Sequence, residues 1–264
     1  MNARKALLLG GAVLLGACAK PNAYLPPEVD AATVDPLAAL DMIRSNVGQI
    51  RCTAGTTSGG FGAVDYSLPT ATVATGAKIG LTCPPNATLW TVPYRAFPAV
   101  SISSDNRQSI EPLYWICARQ DLRQPCQKYI YVPSPGPGVR AIVQGWASLG
   151  RRAAPVEPAA DVAFQEALRN APSDTEPMRR ALIQAEAAVR AQNVIEAARV
   201  YRAALQALPQ WPAGHFNLAL IYGELELYPE AMVEMKRYLY LAPQAADARA
   251  AKDKIYEWEA AEKL

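Results

Sequence analysis

The 264-residue chain has a single histidine, His215, and none of its five cysteines stands at a Cys-x-x-Cys spacing from another. These shortages remove the ordinary ligand sets of a structural zinc site and leave His215 as the one candidate for the commonest acid–base group of a catalytic centre. There is no run of lysine or arginine, and basic residues barely outnumber acidic ones, 26 against 24. Nucleic-acid binding relies on clustered cations that neutralise phosphates, so no nucleic-acid partner is expected. Neither Gly59-Gly60-Phe61-Gly62 nor Gly76-Ala77-Lys78 has the Gly-Lys-Ser/Thr ending of a phosphate cradle, and both read as turns. Asp65, Asp105, Glu111 and Asp121 are scattered, without the spacing of a carboxylate pair. The sequence therefore assigns no catalytic residue, no metal and no cofactor, and it reads as a protein without enzymatic activity. The apolar run over residues 6–17 falls short of the roughly twenty residues that span a bilayer.

What is present begins at the N-terminus. Arg4 and Lys5 precede that apolar run, and Leu15-Gly16-Ala17-Cys18 closes it, the layout of a secretory signal. The last four residues resemble the bacterial lipobox. The resemblance implies transfer of a diacylglycerol to the Cys18 thiol, cleavage before Cys18 and acylation of the new amine. Two or more acyl chains, at about 0.8 kcal/mol per buried methylene, hold a protein firmly to a membrane. Ala19, where lipoproteins retained in the inner membrane usually carry Asp, implies the outer membrane, facing the periplasm. Loss of residues 1–17 takes Arg4 and Lys5 with it and leaves a neutral mature chain. Residues 18–32, with Pro21, Pro26 and Pro27, read as an extended tether.

Half of the residues are hydrophobic, 51%, so a packed core is feasible. Residues 33–150 read as a mixed, β-rich domain. Asp35 caps a helix with Pro36 at its first position, Leu37, Leu40, Ile43 and Val47 follow at helical spacing, and Gly48 closes it. Short runs rich in Val, Ile, Thr, Tyr and Trp then predict strands near 63–66, 77–82, 88–92, 100–103, 114–118, 127–132 and 140–146. The expectation is a small, mainly antiparallel sheet with one helix packed on it. Cys52, Cys83, Cys117 and Cys126, an even set in an exported chain, predict two disulfides. Three pairings are possible. Cys117 with Cys126 is favoured because they flank one hairpin, which leaves Cys52 with Cys83. Trp90, Tyr94, Phe97, Tyr114, Trp115, Tyr129 and Tyr131 are the aromatic pool of this region, and strand alternation divides the hairpin's share between its two faces.

Past residues 151–174, a linker with a candidate half-repeat at 161–170, the chain turns rich in Ala, Leu, Glu, Arg and Gln. Ala197 matches Ala231, Tyr201 matches Met235, Ala204 matches Tyr238 and Pro209 matches Pro243, always 34 residues apart. This period, with His215, Leu218, Ala219 and Tyr222 ahead of Ala231 and Pro243, resembles the tetratricopeptide (TPR) family. The resemblance implies two helical hairpins over 175–264 and a capping helix from 245, so that the whole chain is α+β: a disulfide-bearing β domain followed by an all-α repeat domain. Ala185, Ala197, Ala219 and Ala231 are the small residues that let paired helices approach.

In that family the first helices line a groove for protein partners. Here the groove would comprise Arg179, Leu182, Glu186, Val189 and Arg190 beside Phe216, Leu220 and Glu224. His215 falls at a packed helical position. Two repeats are fewer than a free-standing solenoid needs, so they are expected to lean on the sheet domain, a partner or a second copy. The expected function is a lipid-anchored scaffold that binds envelope proteins in secretion, pilus or outer-membrane assembly. The alternatives are a peptidoglycan- or glycan-binding β domain and an enzyme with its site in that domain.

Overall fold

A computed structural model describes residues 23–24, 34–53, 66–84, 89–105, 113–121, 123–171 and 176–263. The fold is mixed α and β. Cys18, Gly59 to Gly62, the expected strand residues 63–65, and Asp65 and Glu111 lie outside the described residues.

The first half is built on antiparallel pairing. Strands β1 (Ala23–Tyr24), β7 (Ala99–Asp105), β8 (Leu113–Arg119) and β9 (Lys128–Val132) form a four-stranded sheet in the order β1-β7-β8-β9. Strands β4 (Ala71–Ala74), β5 (Lys78–Thr82) and β6 (Leu89–Pro93) form a three-stranded sheet. β2 (Cys52–Thr53) pairs with β3 (Tyr66–Ser67), and a single bridge from Arg51 to Tyr131 brings β2 beside β9. Since β1 is part of the first sheet, Ala23 and Tyr24 belong to the folded domain and not to a free tether.

Helix α1 (Pro36–Arg44) begins as its sequence requires. The Asp35 carboxylate accepts from the amide of Ala38, and Leu37, Leu40 and Ile43 are fully buried. Gly48 does not close it; the helix ends at Arg44 and a 3-10 turn over Val47–Gln49 follows.

The expected strand at 140–146 is instead the middle of α2 (Pro137–Gly150). Val139, Ile142, Val143, Trp146 and Leu149 are its large buried side chains, at the three-and-four spacing of a helix face rather than in alternation. Two helices, not one, therefore pack on the sheets. α1 and α2 cross so closely that a Cβ on Gly145 would lie 2.4 Å from the Ala39 carbonyl. Trp146 donates to the Phe97 carbonyl at 2.9 Å and meets the buried Tyr94 edge-on at 5.2 Å.

Both expected disulfides are present. Cys52–Cys83 ties β2 to the end of β5, and Cys117–Cys126 closes the β8–β9 hairpin.

The second half is helical: α3 (Val162–Arg169), α4 (Glu176–Arg190), α5 (Val194–Ala207), α6 (Pro212–Glu224), α7 (Tyr228–Leu241) and α8 (Ala248–Glu262). α4 packs on α5, and α6 on α5 and α7. α5 and α7 start and stop 34 residues apart, and the turns before them place Gln192 and Glu226 at positive φ, 56° and 57°, again 34 residues apart. Ala185, Ala197, Ala219 and Ala231 have no exposed surface, so the paired helices do approach through them. α8 lies against α7, and its Trp258 covers Gly223, where a side chain would collide with the indole at 2.7 Å.

The two halves are joined by direct contact. The Gly76 amide donates to the Leu225 carbonyl at 2.7 Å, Thr75 donates to Glu226 at 2.9 Å, and Lys78 pairs with Glu226 at 3.3 Å. Arg152 joins Glu230 at 2.6 Å and the Gly76 carbonyl at 2.9 Å, while Arg95 reaches Glu262 at 2.7 Å. α1 adds Asp41–Arg199 at 2.9 Å and Asp35–Arg202. The hairpins thus lean on the sheet domain.

Candidate interaction surfaces

Of the expected groove residues, Arg179, Glu186, Val189, Arg190, Leu220 and Glu224 are exposed, and Leu182 and Phe216 are half-buried. Val189 keeps 50% and Leu220 39% of its surface in solvent. Glu186 and Arg190 form an i,i+4 ion pair at 3.7 Å, which being exposed adds only tenths of a kcal/mol. Phe216 turns towards α7 and packs edge-on against Tyr238 at 5.0 Å. Asn217, which the sequence did not mark, joins α6 to Tyr201 of α5: its amide donates to the Tyr201 hydroxyl at 3.0 Å, and burial raises that phenol's pKa.

His215 is 1% exposed and has no nitrogen to offer a substrate. Nε2 donates to the Pro209 carbonyl at 2.9 Å, and Nδ1 is hydrogen-bonded to the Glu234 carboxyl at 2.5 Å. Glu234 also accepts from Arg237 at 2.8 Å, and Arg237 reaches on to Asp161 at 2.8 Å. Burial works to raise the Asp161 carboxyl, but hydrogen bonds from Arg237 and from the amides of Phe164 and Ala163 prevail, so it titrates below its ordinary range. The Arg237 guanidinium also lies 4.8 Å from the centre of the Phe164 ring, which itself meets the His215 ring edge-on.

α3 is therefore no half-repeat stacked ahead of α4. It is fixed on α6 and α7, with the irregular strap over 152–160 running into it and Lys236 holding Glu157 at 2.5 Å. Between strap and α7 a cavity of about 330 Å³ remains, reached by Glu230, Val233, Glu234, Arg237, Tyr222 and Asp161. Burial raises the pKa of Glu230 against the opposing charge of Arg152.

A larger cleft, about 560 Å³, opens between α4 and α5. Ala181, Val200, Ala203 and Ala204 give it a floor of small residues, and Glu176, Arg180, Glu196 and Arg199 give it a charged rim. The sequence reading missed it, although the 34-residue period carries the signal. Glu196, Arg199, Val200 and Ala203 of α5 correspond to Glu230, Val233, Glu234 and Arg237 of α7, the face that the strap covers.

On the sheet, the aromatics divide as strand alternation requires. Ile116, Ile130 and Val132 face the core, whereas Trp115, Tyr129 and Tyr131 cluster on the opposite face with ring centres 6.1 and 6.4 Å from Trp115. Tyr129 keeps 47% of its surface exposed. Among the described residues no group of metal-ligating side chains converges, and no helix is long and apolar enough to cross a membrane.

No protein-family model, no curated protein and no solved structure matches this chain.

Proposed function

We propose that the chain is a lipid-anchored envelope protein whose C-terminal hairpins are a TPR-type scaffold, holding a second envelope protein against the exposed face of α4 and α6. The anchor rests on the resemblance of Leu15-Gly16-Ala17-Cys18 to a lipobox. The repeat reading is supported by the 34-residue interval in sequence, in helix bounds and in the two positive-φ turns.

The observation that carries the binding role is the exposure of Val189 on α4 and Leu220 on α6, on helices that also expose Arg179, Glu186, Arg190 and Glu224. Protein interfaces combine exposed apolar residues with charged ones at their rims. Replacing both Val189 and Leu220 by Asp in the full chain desolvates two carboxylates in any complex formed there. The yield of co-purified partner from envelope extracts is expected to fall at least tenfold, with circular dichroism and both disulfides unchanged. An undiminished yield would sink the assignment of this face.

A further inference from the structure

The 34-residue interval sets two equivalent surfaces side by side, one covered and one, among the described residues, open. On α6 and α7 the covered surface carries α3 and its strap. Phe164 rests against His215, Arg237 holds Asp161, and Lys236 holds Glu157. On α4 and α5 the equivalent surface is the 560 Å³ cleft.

The substitutions between the two are systematic. His215, Leu218 and Tyr238 become Ala181, Gln184 and Ala204, which lowers the floor by two rings. The cation changes helix: Arg237 of α7 becomes Ala203 of α5, and Gly214 of α6 becomes Arg180 of α4. Arg180 is exposed and forms no ion pair among the described residues, whereas Arg199 is already held by Asp41 and Glu196. α1 covers only the flank, where Asp35 on Arg202 repeats Glu157 on Lys236. The opposite end of the stack is closed by α8, whose outer face carries Arg249, Lys252, Asp253 and Glu257, all exposed. A stack of helical hairpins requires such a cover at each end.

We propose that the α4–α5 cleft is a docking site for a short amphipathic helix of a partner protein, bearing a carboxylate and, about one turn on, an aromatic ring. The ring would sit on Ala181, Val200, Ala203 and Ala204, and the carboxylate would pair with Arg180. The occupant's chemistry follows from α3, in which Asp161 caps the helix three residues before Phe164. A ring larger than phenylalanine fits the lowered floor. This site is distinct from the face of Val189 and Leu220, and does not depend on that face being correctly assigned.

The test uses a synthetic peptide of residues 157–171 with Phe164→Trp, titrated against the whole mature protein by fluorescence anisotropy. Saturable binding is expected. Arg180→Glu and Ala203→Trp should each weaken it at least tenfold, Arg180→Lys should retain it, and the Val189→Asp, Leu220→Asp double variant should leave it unchanged. Arg180 and Ala203 are exposed, so these variants keep the core intact. Absence of binding, or equal binding to the Arg180→Glu and Ala203→Trp variants, overturns the proposal. So does binding that Arg237→Ala weakens and Arg180→Glu does not, because the peptide is then displacing α3. A doubling of mass in sedimentation that Arg180→Glu abolishes makes the occupant a second copy, and overturns it as well.

Discussion

His215, the chain's one histidine, spends both ring nitrogens inside the protein, on the Pro209 carbonyl and on Glu234. Its removal leaves a buried carboxylate with Arg237 as its remaining partner and a carbonyl without its donor. Breaking a buried hydrogen-bonded pair in this way costs about 3 kcal/mol. His215→Ala is accordingly expected to lower the urea midpoint by about 1.5 M at an m-value near 2 kcal/mol/M. A loss below about 0.5 kcal/mol, well under the ordinary range for such a break, would remove the structural role given to the ring. At this scale the sequence was informative wherever a residue type has one main use. Asp35 before Pro36 marked a helix start, and four cysteines marked two disulfides whose favoured pairing is the one formed. Glu226 was not legible. Its carboxylate is held by Thr75 and Lys78, residues some 150 positions away that no local pattern connects with it.

Among the elements, α2 shows how composition misleads when periodicity is set aside. Its Val139, Val143 and Trp146 have the composition of a strand, but Pro137 at the helix start and apolar residues at 139, 142, 143, 146 and 149 have the period of a helix. α3 was legible only as a candidate half-repeat over 161–170, and its place on α6 and α7 was not, because Arg237 and His215 are distant in sequence. Its attachment can be isolated. Asn caps a helix about as well as Asp, so Asp161→Asn retains the cap and removes the ion pair with Arg237. The cost is expected to be about 1 kcal/mol near neutral pH. The sign of the pH dependence follows from the carboxyl's lowered pKa. Stability from this pair is complete above the unfolded value of about 3.9 and is lost as pH falls through the lower, folded value. The gap between the denaturation curves of the two proteins should therefore be full at pH 6 and narrow as the pH falls below about 4. A gap that does not narrow on acidification would mean that Asp161 acts through something other than its charge.

For the molecule as a whole, the decisive distance is from the proposed anchor to the fold. β1 pairs Ala23 with Ser103 and Tyr24 with Ile102, so four residues, 19–22, lie between Cys18 and the sheet, five residue-to-residue steps. A fully extended chain covers roughly 3.5 Å per residue, which holds that edge within roughly 17 Å of Cys18. With Cys18 as the proposed anchor, the sheet domain stands against the membrane, and the helical hairpins are joined to it through Gly76, Glu226, Arg152 and Glu230. No described helix is long and apolar enough to cross a bilayer, and the proposed attachment is the lipid at Cys18. Cys18→Ala removes the acylated thiol and leaves Cys52–Cys83 and Cys117–Cys126 untouched. The variant is expected to leave the membrane fraction, while the native chain remains there after washing with molar salt, since acyl burial is insensitive to charge screening. Folded protein in the soluble fraction, with both disulfides formed and the thermal midpoint unchanged, completes the expected result. A Cys18→Ala protein that still sediments with membranes after the wash would contradict the anchor and with it the short lever that sets this orientation.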